Sequence, residues 1–146
     1  VYSYSEETGA LIWKGKYTRG EKTGLWEYYD KDGNVEIKER YRRGNKEGLT
    51  EWFHKNGKLR NIGNYVDGIR QDGFWEEYYN NGELRFKGSF LNGERSGSWE
   101  EYWTNGKLKE LGKFVNGKRH GTWNYYDNMG QLIRVKDFRK GKEIKF

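Results

Sequence analysis

The chain has no cysteine, no proline and a single alanine among 146 residues. Without cysteine there is no disulfide, no thiolate metal ligand and no thiol nucleophile. One alanine against 21 glycines removes the best helix former and supplies in quantity the residue that costs ~1 kcal/mol in a helix interior. Helices are therefore disfavoured. Aliphatics are scarce as well: 9 Leu, 6 Ile, 5 Val and 7 Phe make 27 positions, under the roughly 20% level below which a charged chain is usually disordered. No apolar run approaches the ~20 residues of a membrane-spanning helix. The first residue is Val, so the chain reads as a trimmed or processed piece, ahead of which a removed signal peptide would leave no trace. Localisation, cytoplasmic or exported, stays unassigned.

What is present instead is aromatic. Trp 7, Tyr 12 and Phe 7 give 26 rings against 20 branched aliphatics. Each ring can bury ~150–250 Å², so a thin aromatic core replaces the missing aliphatic one.

The glycines carry a fixed period, which takes precedence over any local motif. Gly9, Gly33, Gly57, Gly82, Gly106 and Gly130 are spaced 24, 24, 25, 24 and 24 residues apart. Gly20, Gly44, Gly68, Gly93, Gly117 and Gly141 repeat that spacing, and the one extra residue lies in the stretch Ile69 to Asp72. The two sets interleave at strand-plus-turn intervals, the pattern of an all-β meander. Copies run 24–47, 48–72, 73–96, 97–120 and 121–146, after a partial copy over 1–23. Asp32-Gly33, Asn56-Gly57, Asn81-Gly82 and Asn105-Gly106 predict hairpin turns on one edge, because both residues tolerate positive φ. Asp67-Gly68, Asn92-Gly93 and Asn116-Gly117 predict them on the other, with Arg43-Gly44, Met129-Gly130 and Lys140-Gly141 assigned from register alone.

The strand after each turn alternates. Leu84, Phe86, Gly88 and Phe90 point one way, and Arg85 and Lys87 the other. Gly15, Gly63, Gly88 and Gly112 fall on the apolar side, where a missing side chain would let a neighbouring Trp lie flat over the backbone. The preceding strand supplies that ring: Trp26, Trp75, Trp99 and Trp123 stand two residues after the copy-opening Gly, and only Thr50 breaks the rule. Tyr29, Phe53, Tyr78, Tyr102 and Tyr126 follow three residues later. A spacing of three means that either a bulge intervenes or both faces are aromatic.

The pattern of Gly73, Trp75, Tyr78, Tyr79, Asn81, Gly82 and Leu84, followed by Gly88, Phe90 and Gly93, resembles the bacterial variant of the MORN repeat. The resemblance covers essentially the whole chain. It implies an elongated, single-layer antiparallel sheet of hairpins, here about eleven or twelve strands in one array over 1–146, ~50–60 Å long at ~4.8 Å per strand. Many bacterial proteins with this repeat are labelled antitoxin components of toxin–antitoxin pairs, and eukaryotic relatives are linked to membranes and scaffolding. The resemblance brings no invariant catalytic residue with it.

The residues themselves give little to chemistry. His54 and His120 occupy different repeat positions, and the serines show no nucleophile-elbow context. Asp30-Lys31-Asp32-Gly33-Asn34 has its Gly at the fourth place and no closing Glu, so it reads as a turn rather than a calcium loop. Glu27, Glu51, Glu76 with Glu77, and Glu100 with Glu101 recur copy by copy. A catalytic pair is unique in a chain, whereas a carboxylate repeated in every copy does one structural job, here cross-strand pairing with Lys and Arg. No pattern calls for a metal or cofactor. The net charge of +6 with interleaved rings suits single-stranded nucleic acid, but the 22 acids lie among the 28 bases, which favours a salt-bridged sheet face and weakens an anionic-membrane reading as well.

A one-layer sheet leaves an aromatic face without a second layer, and an open aromatic strip is an interaction site. The sequence thus predicts a non-enzymatic module for protein–protein binding or scaffolding, with an antitoxin-like or immunity-like role as the version the resemblance implies. Trp75, Tyr78 and Tyr79 with Trp99, Tyr102 and Trp103 are the candidate binding residues. Tyr79 and Trp103 are expected to be the most available to a partner, because other copies place Asp30, His54 and Asp127 there. The alternative is a glycan, cell-wall or membrane-surface module using the same rings.

Overall fold

The computed structural model describes residues 1–145, and of residues 70–72 only the backbone. The side chains of Arg70, Gln71 and Asp72, within the stretch that holds the inserted residue, lie outside the described residues. Packing divides the chain into two compact units, Val1–Arg70 and Gln71–Phe146. The division falls in the one interval where the glycine period is 25 rather than 24.

Every regular element among the described residues is a β-strand. The first unit holds β1 (Tyr2–Tyr4), β2 (Leu11–Thr18), β3 (Glu21–Tyr29), β4 (Val35–Arg42), β5 (Asn45–Lys46), β6 (Gly48–Phe53) and β7 (Leu59–Val66). Each pairs antiparallel with its sequence neighbour, except that β5 and β6 both pair with β4. The second unit comprises β8 (Ile69–Tyr78, which starts two residues before the division), β9 (Leu84–Leu91), β10 (Glu94–Tyr102), β11 (Leu108–Val115), β12 (Lys118–Tyr126), β13 (Leu132–Arg139) and β14 (Lys142–Ile144), again paired in order. These are fourteen strands among the described residues, against the eleven or twelve expected. The short pieces β1, β5 and β14 make the difference, β5 being cut from β6 by Glu47. The fold is an all-β, antiparallel hairpin repeat, as the period predicts.

The two sheet edges turn differently. On one, Arg19, Arg43, Asp67, Asn92, Asn116 and Lys140 have φ of 49–54°, each followed by a glycine also at positive φ. These are two-residue type I′ turns, whose twist matches the flanking strands. On the other edge the glycine alone is left-handed, at 68–94°. The Asx residue before it stays in the ordinary region and accepts a backbone N–H instead, as Asn81 does from Glu83 at 2.9 Å and Asn105 from Lys107 at 3.0 Å. The expectation that Asn-Gly uses positive φ at both residues therefore holds on one edge only. The other edge needs a longer loop, and there the side chain substitutes for backbone twist.

The copy-opening glycine is where the sheet is shaped. Ser96 faces Ser89 across β9 and β10, yet Trp99 faces Gly88, so Gly97 and Ser98 have no opposite number. The same irregularity recurs between Lys113–His120 and Leu111–Asn124. Gly24, Gly97 and Gly121 hold φ of 67–71° there, where a β-carbon costs ~1–2 kcal/mol. The bulge turns the next residue but one back over the preceding strand, and that residue is the tryptophan. A Cβ built on Gly88 would lie 2.1 Å from Trp99, one on Gly112 2.1 Å from Trp123, and one on Gly15 2.2 Å from Trp26. The rings sit where those side chains would be, and each comes from the strand that follows its glycine rather than from the preceding strand, as the sequence had suggested. Trp26, Trp99 and Trp123 are the buried centres, with Phe114 between the last two.

The exception at Thr50 is compensated. The β4–β6 register pairs Ile37 with Trp52 and Lys38 with Glu51, and its continuation sets Thr50 opposite Glu39. Glu39 occupies the place that is Gly15, Gly63, Gly88 and Gly112 in other copies. Where the ring is lost, the glycine is lost with it, and both replacements are buried. Glu39 is held by an ion pair with Lys46 and a hydrogen bond from the Tyr41 hydroxyl at 2.6 Å.

Two expectations follow. Gly88→Val or Gly112→Val destabilises by about 2–3 kcal/mol through overpacking, whereas Gly97→Ala, with nothing within 4 Å, costs only the ~1 kcal/mol of a left-handed backbone; equal losses in urea melts would show that the rings do not define these sites. Thr50→Trp alone lowers the melting temperature, and Glu39→Gly added to it restores most of the loss. A double variant no better than the sum of its parts would refute the compensation.

Candidate binding surface

The two faces of the sheet differ in what covers them. On the tryptophan face each buried ring has a glycine backbone beneath it and a cation above. Lys22 lies 4.3 Å from the Trp26 centroid, Arg95 4.5 Å from Trp99 and Arg119 4.1 Å from Trp123. Edge-to-face contacts close the sides: Phe114 meets Trp99 at 5.6 Å and Trp123 at 5.1 Å, and Phe86 stacks on Trp99 at 4.9 Å. Each such contact adds ~0.5–1.5 kcal/mol beyond area burial. Arg119 is itself fixed by both carboxylate oxygens of Glu110, at 2.8 and 3.0 Å. Burial raises the Glu110 carboxyl above its usual range despite that partner. This face is closed by its own rings and cations.

The opposite face carries a charge ladder. Glu27 is 2.5 Å from Lys14 and 3.5 Å from Lys38, and Lys87 is 3.0 Å from Glu100. Burial pushes the Glu27 carboxyl up, but hydrogen bonding to Lys14 and the charges of Lys14 and Lys38 outweigh it and hold the group below its ordinary value of 4.5. Tyr78 and Tyr102 lie here, each donating its hydroxyl to the carboxylate two residues back, Glu76 and Glu100. Burial and that bond push Tyr78 up to about 12. Tyrosine and tryptophan thus occupy opposite faces, and a bulge between Glu101 and Tyr102 is present too. Of the two alternatives left open by the spacing of three, aromatic side chains on both faces is the one realised; the extra residue of that bulge, Lys109, lies in β11.

The same face leaves apolar side chains uncovered. In the second unit Phe74, Leu91 and Val115 are 55%, 49% and 42% exposed, and in the first Leu25 and Leu49 occupy the position of Phe74. No helix or second sheet lies over them among the described residues.

The six residues singled out from sequence do not form one strip. Trp75 and Trp99 belong to the tryptophan face, and Trp99 is core at 3% exposure. Tyr78 and Tyr102 belong to the ladder face. Tyr79 and Trp103 stand at the turn edge, half-buried rather than fully open. The Tyr79 hydroxyl donates to the Tyr102 carbonyl at 2.8 Å and the Trp103 indole N–H to the Tyr126 carbonyl at 3.2 Å, so each polar atom is tied to the next copy. Arg85 and Lys109 lie over these rings at 5.8 and 5.0 Å. The periodic carboxylates do pair with cations, as Glu77 with Arg85 at 2.5 Å and Glu101 with Lys109 at 2.7 Å. No grouping of His, Asp or Glu suited to a metal ion occurs among the described residues. Sequence reasoning missed the cation over each ring, although Lys22, Lys46, Arg95 and Arg119 share one repeat position. It also missed Phe74, Leu91 and Val115, which are visible only as the odd members of alternating strands.

The MORN repeat variant family matches residues 22–43, 46–67, 71–92 and 95–116, which together make up more than half of the chain. The chain belongs to that family. Its repeats are generally modules that bind proteins or membranes. The linker between matched segments is one residue longer before residue 71 than elsewhere, where packing also divides the chain. No curated protein matches. Among solved structures, a Staphylococcus aureus TarM G117R mutant in complex with Fondaparinux, alpha-GlcNAc-glycerol and UDP aligns over 66% of this chain at 14% identity and TM-score 0.43. A GtfA/B complex bound to UDP and GlcNAc aligns over 86% at 16% identity and TM-score 0.34. The chain spans 19% and 24% of those proteins' lengths.

The ladder gives stability an acid dependence of known sign. The folded Glu27 carboxyl titrates below its unfolded value of 4.5, so its pairing contributes above that value and is lost as pH falls through the folded pKa. Melting temperature therefore declines from about pH 6 to about pH 3, and Glu27→Gln makes the decline shallower. An unchanged slope in that variant would remove Glu27 from the ladder's contribution.

Proposed function

We propose that this chain is a non-enzymatic binding or scaffold module whose partner is a protein, engaged through the ladder face. The observation that carries this reading is the set of exposed apolar residues Phe74, Leu91 and Val115 on a sheet face that nothing covers among the described residues. A flat face with apolar patches, hydroxyl-bearing rings and fixed ion pairs has the composition of a protein interface. Tyr78 and Tyr102 supply the rings on that face, Tyr79 and Trp103 border it at the turn edge, and Trp75 and Trp99 support it from behind. The catalytic requirements of a convergent nucleophile, base and orienter have no counterpart in side chains that repeat copy by copy.

In its immunity-like form, the partner is a toxic protein neutralised by being covered. A chain of net charge +6 does not imitate nucleic acid, so the partner is recognised by shape, apolar contact and its own acidic groups.

Phe74→Asp with Leu91→Asp tests the reading, because both positions are exposed and the fold does not use them. The melting temperature is expected to stay within a degree or two, while affinity for proteins retained on the immobilised wild-type chain falls by ~2 kcal/mol or more. Retention of the same partners at undiminished affinity would overturn it.

A further inference from the structure

The charge of the chain is unevenly placed. Eleven of the 28 basic residues and four of the 22 acidic ones fall within 107–146, so that segment carries +7 and the rest of the chain −1. The segment covers β11 to β14, all within the second unit.

Pairing across the ladder face changes character there. In the earlier copies cross-strand neighbours on this face carry opposite charges: Lys14 faces Glu27, Glu27 faces Lys38, and Glu76 and Glu100 both face Lys87. In β11 to β14 the register sets basic residues against a histidine, another cation or an apolar side chain instead of a carboxylate. Lys113 faces His120, and Arg139 faces Lys142. Lys118 stands opposite Val115. All five basic side chains are exposed, and none makes an ion pair among the described residues. Like charges directly opposed across a sheet destabilise it by roughly the ~0.2–1 kcal/mol that opposed pairs contribute. A face that matches charges in its first copies and opposes like charges in its last violates its own local rule, and such violations mark functional positions.

The same face of the same unit holds Phe74 and Leu91 at its other end, with Val115 between the two regions. Ser89, Ser96 and Ser98 bridge the gap, since Phe74 faces Ser89, Ser89 faces Ser96 and Ser98 faces Lys113. Beside Val115, a groove of about 390 Å³ is lined by Glu94, Lys118, His120 and Lys140. The unit thus presents exposed apolar side chains along one surface, Ile133 and Val135 included, with the cations that make no ion pair among the described residues gathered toward β11 to β14.

We propose that this surface docks an extended acidic segment of a partner protein, its apolar residues on Phe74, Leu91 and Val115 and its carboxylates on Lys113, Lys118, His120, Arg139 and Lys142. The proposal rests on the protein-binding reading above and names the partner's chemistry. Neutralising carboxylates would relieve the Arg139–Lys142 like-charge pair on binding, so the cost stored there in the free sheet is returned in the complex. Glu76 and Glu100, on the same face, repel a nucleic acid strand or an anionic bilayer laid along it, whereas a segment acidic at one end alone avoids them.

The test uses the full chain and three probes: a fluorescein-labelled twelve-residue peptide with Leu and Phe in its first half and Glu and Asp in its second, a twelve-residue oligothymidylate, and phosphatidylserine vesicles. Lys113→Glu/Arg139→Glu is compared with wild type. The peptide is expected to bind wild type, and the variant to lose at least about tenfold in affinity while melting at an equal or higher temperature, because Arg139→Glu sets a carboxylate opposite Lys142 in place of a second cation. Arg139→Glu alone guards against a folding defect and is expected to give an intermediate loss. Peptide affinity unaffected by either variant would overturn the proposal. So would oligothymidylate or vesicles binding more tightly than the peptide and responding to the same variants. Phe74→Asp/Leu91→Asp separates the two readings. Partner capture lost there with the charge variants silent removes this inference alone, and capture unaffected by both sets removes the protein-binding reading with it.

Discussion

Trp26, Trp99 and Trp123 each require an absent side chain on the strand before them. The ring occupies the volume that a β-carbon on Gly15, Gly88 or Gly112 would fill, and no rotamer change relieves that exclusion because the obstacle is an indole packed on backbone. The left-handed glycine of the bulge exists to aim the ring, and the phenylalanines exist to close its edges. A cation four residues earlier on the same strand covers the exposed π-face, and its aliphatic stem adds apolar cover. A single sheet without a second layer can in this way bury its core against its own backbone.

That arrangement explains why the two faces have different chemistry. The tryptophan face is closed by its own rings and cations and has little left to offer a ligand. The ladder face contributes comparatively little to stability, since exposed ion pairs are worth roughly 0–1 kcal/mol each. Its composition is consequently free to change from copy to copy, from leucine and phenylalanine to serine to lysine, without disturbing the fold. Stability and recognition are separated by the pleat of the strand.

Much of this was legible in the sequence. The 24-residue glycine period located the hairpins, and Gly88 and Gly112 on the apolar side of their strands announced that rings lie above them, although those rings, Trp99 and Trp123, come from the following strand and not from the preceding one. The turn chemistry was read only in part, because Asn-Gly has the same letters whether the asparagine supplies a positive φ, as Asn92 does, or an acceptor oxygen, as Asn81 does. Tyr79 and Trp103 looked dispensable because other copies carry Asp and His there. Their polar atoms reach carbonyls 23 residues away, and a contact of that kind leaves no trace in a list of what each copy carries. The Arg139–Lys142 pair of like charges was hidden by a net charge that averages over the chain.

The pairing of Glu39 with Thr50 shows that the repeat in the sequence is not the unit that packs. A ring belongs to one copy and the space it fills to the copy before, so the rule that makes a copy viable is written across its boundary. Removal of 97–120 would bring Trp123 to Gly88 and leave the rule intact, whereas removal of 48–72 would bring Trp75 to Glu39 and break it. An array of this kind cannot lengthen or shorten by whole copies at any point it likes. Its history of duplication is confined to junctions where the incoming ring finds a glycine, and the Glu39–Thr50 junction is a place where copies are locked in order.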